Sequence, residues 1–258
     1  MQRINSNLLS VATFALLLSG AIKVQAAEYI RAEAPAGPQV KPVVGGLDHA
    51  FDAAPKRPEG FLGPHGEHLS ANIRAYDYRQ DQENGDENMA SVIGGSLSYH
   101  TGHWQDRLGF GATVYTSQKI WGPQDKGGTG LLKETQNSFT VLGEAYAELK
   151  FDEFEVIAFR REMDLPYINK EDIRQVPITH ESYMIGRRGT GRDFTLGHVT
   201  QIKQRDEDSF ISMSEAAGVA DKDKGVSVAG FQMALPRNIR FGAMTQHGWD
   251  TFNTSYTD

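Results

Sequence analysis

FTVLGEAYAELKF, Phe139–Phe151, is the stretch that decides how the rest of the chain reads. Phe139, Val141, Gly143, Ala145, Ala147, Leu149 and Phe151 share one parity. Thr140, Glu144, Tyr146, Glu148 and Lys150 share the other, and Leu142 is the single exception. Side chains on a strand point to opposite faces with period two, so this pattern predicts a strand that is greasy on one side and charged on the other. A tilted strand crossing a bilayer needs roughly 9–11 residues and carries aromatic rings at the two interfaces. The stretch meets both conditions, with a phenylalanine at each end of its apolar face.

Alternation of the same kind recurs along the chain. Leu69, Ala71, Ile73 and Ala75 oppose Ser70, Asn72, Arg74 and Tyr76; Leu108, Phe110, Ala112 and Val114 oppose Arg107, Thr113 and Tyr115. Further strands are predicted around residues 93–100, 154–160, 179–187, 194–203, 225–235 and 239–247, about nine in all. The connections between them sort by length. Residues 101–105, 152–153, 188–193 and 236–238 are short, while 79–87, 116–138, 161–178 and 204–224 are long and polar. Short turns at one end and long loops at the other are the arrangement of an outer-membrane barrel, and a soluble sandwich has no reason to adopt it. The predicted fold class is therefore all-β, a transmembrane antiparallel β-barrel.

The beginning of the chain reads as a secretory leader over residues 1–26. It has Arg3 at its start, an apolar stretch from Leu8 to Ile22, and a small-residue cleavage site at Val24-Gln25-Ala26. Residues 27–60, with Pro35, Pro38, Pro42, Pro55 and Pro58, read as a flexible periplasmic lead-in. The barrel domain is predicted over 61–258. The absence of cysteine excludes a disulfide framework, thiol nucleophiles and thiolate metal sites. A formal charge of −7 argues against a nucleic-acid partner.

No catalytic constellation is present, so no enzyme, cofactor or metal is predicted. His65 and His68, near Glu67, lack the further ligands of a metal site. The acidic cluster of Asp81, Glu83, Asn84, Asp86 and Glu87 lacks the spacing of a calcium loop. Arg74, Arg107 and Lys150 fall on the polar parity of their strands, where a barrel would turn them toward water and passing solute. At about 4 Å, two unit charges attract by roughly 1 kcal/mol in water and about 4 at an effective dielectric of 20, enough to recruit an anion without trapping it. Glu144 and Glu148 stand on the same wall and could cancel that field. The 161–178 stretch mixes Asp164, Lys170, Asp172 and Arg174 with Pro166, Tyr167 and Pro177. It reads either as a solvated loop or as one folded inward to narrow the pore.

Four stretches carry a resemblance to a known family. RREMDLPYINKEDIRQVPITHE, residues 160–181, has Arg160, Asp164, Pro166, Asn169, Asp172, Arg174, Pro177, Thr179 and Glu181 placed as in the third loop of OprD-type outer-membrane porins. GHVTQIKQRDEDSFISMSEAAG, residues 197–218, resembles a strand and following loop of the same family. LSANIRAYDYRQ is similar to the family's first strand, and Phe252-Asn253-Thr254 with Tyr256 to the end of a mid-barrel strand. The resemblance implies an eighteen-stranded barrel of the Gram-negative outer membrane, in contact with its lipid and in full-length form packed as homotrimers. It also implies an inward constriction loop and a ladder of basic residues that guides small solutes, carboxylates or amino acids. Arg160, Arg174, Asp164 and Asp172 belong at or near that constriction, and Arg74 and Arg107 are ladder members by parity. On these grounds the chain is expected to be the N-terminal part of a porin, a partial or truncated chain giving passive diffusion of small organic acids or amino acids. The alternative is a non-transporting barrel that anchors or adheres through its loops.

Overall fold

The computed structural model describes residues 66–81, 87–187, 192–219, 223–235 and 239–257, with the backbone of two short strands, Ile22–Ala26 and Phe61–Leu62. Ten strands of six residues or more run through the described residues. They are β1 (His68–Asp81), β2 (Glu87–His100), β3 (Leu108–Trp121), β4 (Phe139–Phe151), β5 (Phe154–Arg161), β6 (Thr179–Arg187), β7 (Arg192–Lys203), β8 (Val226–Leu235), β9 (Ile239–Gly248) and β10 (Phe252–Thr257). Each pairs antiparallel with the next, so the order across the sheet is the order along the chain. The sequence pattern gives nine of these; β10 is short, and its Asn253, Ser255 and Thr257 leave little hydrophobic contrast.

On the far side of β1, Phe61–Leu62 pairs antiparallel and Ile22–Ala26 parallel. The latter segment lies in the predicted leader. No described helix is long and apolar enough to cross a membrane.

The two faces of the sheet differ sharply. Phe110, Val114, Leu142, Leu149, Tyr183, Leu196, Phe231 and Phe241 are exposed on one. On the other, Val199, Val226, Val228 and Met244 are buried beneath Met163, Leu165 and Ile168 of the 162–178 connection. A water-soluble sheet would cover its aliphatic face and wet its polar one, whereas a face of bare apolar rungs is stable against lipid.

The Phe139–Phe151 stretch is a strand with the predicted ends, but its faces change partway along. Thr113 pairs with Glu144 and Val114 with Leu142, which leaves Gly143 as an unpaired bulge residue. A one-residue bulge inverts the parity beyond it. Leu142 and Leu149 therefore lie on the bare face, and Phe139, Val141, Glu144 and Glu148 on the covered one. The expectation that Phe139 and Val141 share a face with Leu149 is corrected by this bulge, and Leu142, the exception to the pattern, marks where it occurs. Glycine is required there because the ring of Tyr115 lies over it: a Cβ on Gly143 would come within 2.6 Å of Tyr115 Cδ2.

The sorting of the connections holds in part. Strands β1 and β3 run further than the pattern predicts, to Asp81 and Trp121, which shortens the loops that follow them. The connections 122–138, 162–178 and 204–225 are long, and 101–107 and 152–153 are short. The 249–251 turn is also short, on the side where a long loop is expected. The predicted acidic tip at 81–87 and the predicted short turns at 188–193 and 236–238 lie wholly or mainly outside the described residues.

Candidate functional site

The 162–178 loop lies across the covered face from one side of the sheet to the other. Near its start, Asp164–Leu165 and Ile168–Asn169 form a small hairpin with Pro166 and Tyr167 at the turn. Met163, Leu165 and Ile168 pack on β7, β8 and β9. The Gln246 side-chain amide donates to the Pro166 carbonyl, and the ring of Tyr167 meets that of Tyr256 edge-on. The other end of the loop reaches β1. Arg74 Nη2 donates to Asp172 Oδ2 at 2.8 Å, Nη1 donates to Asp172 Oδ1, and Nη1 also reaches the Arg174 carbonyl at 3.3 Å.

Between these ends Val176, fully buried, packs with Tyr115, Phe139 and Val141. The apolar residues exposed by the parity change at Gly143 are thus what the loop sits on. Arg174 stacks on Tyr78 at 4.7 Å and donates through Nε to the Thr129 carbonyl at 3.2 Å, which ties the loop to the 122–138 connection. Lys203 Nζ, fully buried, donates to the Pro177 carbonyl at 3.0 Å and to that of Gln204 at 2.8 Å.

Under the loop lies a polar hollow whose walls include Arg74, Tyr115, Glu144, Glu148, Lys170 and Asp172. Its polar contacts form a chain. Tyr115 O–H donates to Glu162 Oε1 at 2.8 Å, the Glu162 backbone N–H donates to Glu144 Oε1 at 2.9 Å, and Lys170 Nζ stands 3.2 Å from Glu162 Oε2. Partial burial pulls the Lys170 ammonium down, but Glu162, with Asp172 and Asp164, outweighs it and holds the group above its ordinary value of 10.5.

The residues singled out in the sequence fall into three groups. Arg74, Asp172 and Arg174 come together at the β1 end of the loop, and Asp164, Pro166 and Tyr167 sit at its other end, near β9 and β10. Lys150 stays on the sheet, with Nζ 3.8 Å from Glu155 Oε1. Arg107 is not a strand residue: it is exposed in the 101–107 turn, and its carbonyl accepts from the Lys150 N–H at 2.8 Å. Arg160 turns the other way. It lies opposite Ala145 in register, on the face of Leu149, with Nε 3.1 Å from Glu181 Oε2 and its guanidinium 4.2 Å from the Phe210 ring.

Sequence reading missed Tyr115, Glu162, Lys203 and Gln246 as parts of this site. The polar parity of Tyr115 was a usable signal. Nothing in the local pattern marks Lys203 or Gln246, whose partners lie on a loop distant in sequence.

Residues 59–258 match the profile of the family described as outer membrane porin, OprD family. Among solved structures, Pseudomonas aeruginosa OccK9 (OpdG) is similar, with 22% identity and a TM-score of 0.66 over 77% of this chain and 54% of that one. A BenF-like porin from Pseudomonas fluorescens Pf-5 shows 20% identity and a TM-score of 0.63 over 77% and 54%. Pseudomonas aeruginosa OpdK with vanillate shows 16% identity and a TM-score of 0.59 over 74% and 50%. The chain therefore spans about half the length of these structures, and at such identity they speak to the fold. No curated protein matches it significantly.

Proposed function

Since the chain belongs to the OprD family of outer membrane porins, we propose that it supplies one wall and the constriction loop of a passive diffusion channel for small organic acids or amino acids. Its place is the outer membrane of a Gram-negative bacterium. The observation that carries the reading is the course of the 162–178 loop, held at one end by Gln246 of β9 and at the other by Arg74 of β1. A loop held across the covered face narrows whatever space that face encloses, and a fixed constriction is how a wet barrel selects among solutes.

The charge of the lining bears on the solute. Arg74 and Lys170 each have a carboxylate against them, and Glu144 and Glu148 line the same hollow. That mixture suits solutes carrying both charges, or carboxylates with hydroxyl groups, better than it suits simple anions. A similar structure was determined with vanillate, an aromatic carboxylate, which supports the organic-acid arm of the proposal.

Liposome swelling tests it. Protein extracted from native outer membranes and reconstituted should admit small organic acids and amino acids faster than neutral sugars of equal size. Equal rates would overturn the selectivity, and no swelling with any solute would overturn transport altogether.

A further inference from the structure

We propose that His100, His103 and Glu148 form a binding site for a divalent transition-metal ion on the covered wall, at its short-turn end. His100 closes β2, His103 lies three residues on in the 101–107 turn, and Glu148 comes from β4. His100 Nε2 stands 3.3 Å from Glu148 Oε2, and His103 Nε2 stands 3.1 Å from the same oxygen. One ligand atom from each residue lies within 4.8 Å of the others. Around a tetrahedral ion with metal–nitrogen and metal–oxygen bonds of about 2.0–2.2 Å, ligand atoms sit roughly 3.3–3.5 Å apart. Two edges of that figure, from each imidazole to Glu148, are already close to length, and the third lies within 4.8 Å.

Two nitrogens and one carboxylate oxygen suit zinc and its neighbours rather than calcium or magnesium, which prefer oxygen alone. His100 and Glu148 are buried, so their positions are set by the sheet, while half-buried His103 sits on a turn that can adjust. Three protein ligands leave a fourth position for water or a solute group.

Binding requires both rings to carry their proton on Nδ1, and at His100 this displaces a neighbour. The Gly102 N–H donates to His100 Nδ1 at 3.0 Å, which keeps the ring proton on Nε2, where it donates to Glu148. An ion at Nε2 moves that proton to Nδ1, so the Gly102 amide must turn away. Gly102 has φ +72°, a conformation that a glycine enters and leaves at little cost.

The test uses protein extracted from native outer membranes into detergent, with Co2+ as spectroscopic probe and Zn2+ by calorimetry, and Mg2+ and Ca2+ as controls. Saturable binding at one ion per chain is expected for Co2+ and Zn2+ only, with the visible bands of tetrahedral cobalt. H103A should weaken it at least about tenfold, since even groups behind the ligands are worth about 10–100-fold. H198A, which alters a histidine hydrogen-bonded to Ser227 elsewhere in the sheet, should leave binding unchanged. Should H100A fail to fold, H103A, placed in a turn, decides alone. Absence of Co2+ bands and of Zn2+ heat would show a hydrogen-bonded cluster only, and binding that survives H103A would place the ion elsewhere; either overturns the proposal.

Discussion

Arg74 and Asp172, 98 residues apart in sequence, are joined by two parallel hydrogen bonds that hold the far end of a loop against the first strand of the sheet. The paired geometry is the strong form of the contact, since a guanidinium fork matches the two oxygens of a carboxylate. Both side chains keep about a quarter of their exposure, at 22% and 28%, so water and salt screen the pair. Its contribution to global stability is then about 1 kcal/mol or less. Its contribution to loop position is larger, because the 169–174 segment has no buried apolar residue of its own. R74A and D172N should each speed amide exchange at residues 171–175 while leaving 163–168 protected by the apolar cluster. The double variant should add little to either single one. Equal exchange in wild type and R74A would show that the loop does not depend on this tie.

The bulge at Gly143 gives a prediction that separates two readings of the same strand. With the bulge, deletion of Gly143 joins Leu142 to Glu144 and leaves every other residue of β4 on its present face. If the alternation were unbroken, the same deletion would move half the strand to the wrong side. The deletion should therefore fold, whereas G143L should not, because the Tyr115 ring occupies the space. The chain has no cysteine, so single cysteines report cleanly. L142C should react with a lipid-dissolved maleimide and V141C should not; the opposite pattern would restore the unbroken strand.

That strand also shows how much of the protein is legible in sequence. Period-two alternation locates β4 to the residue, because a half-wet strand must alternate wherever it stays in register. It cannot announce a bulge, since Gly143 fits either face and only the partner strand reveals the slip. Arg107, assigned by parity, sits a residue before its strand begins. Arg160, assigned by resemblance alone, takes the parity opposite to buried Arg161, which a motif match does not report. The crossing loop was legible as a candidate from its prolines and charges. Its anchors were not, because Gln246, Lys203 and Tyr115 meet it only through the fold.

Arg160 and Glu144 make opposite predictions for solute passage. Arg160 lies on the face of Leu149, paired with Glu181, so R160Q should leave relative swelling rates unchanged. Glu144 lines the hollow beneath the loop and accepts the Glu162 N–H. E144Q keeps the shape and the hydrogen bond while removing the charge, so it should change the ratio of acidic to zwitterionic solute rates. Swelling that responds to R160Q and ignores E144Q would put the conducting space on the other side of the sheet.

Lys170 sets the pH range over which the loop keeps its inner tie. Its folded pKa lies above the ordinary value of 10.5, with Glu162, Asp172 and Asp164 favouring the charged form against the pull of burial. A raised pKa means that the folded state holds the proton more tightly than the unfolded chain. The stabilisation is therefore complete below about pH 10.5 and disappears as pH rises through the folded value. Intrinsic amide exchange accelerates with pH by itself, so the quantity to follow is protection relative to an unstructured reference. Protection at residues 168–172 should stay level from neutral pH to about pH 9 and fall only beyond 10.5. K170M removes the titrating group and should lack the alkaline step. A fall in protection that begins near neutrality, or a step that survives in K170M, would assign the tie to another group.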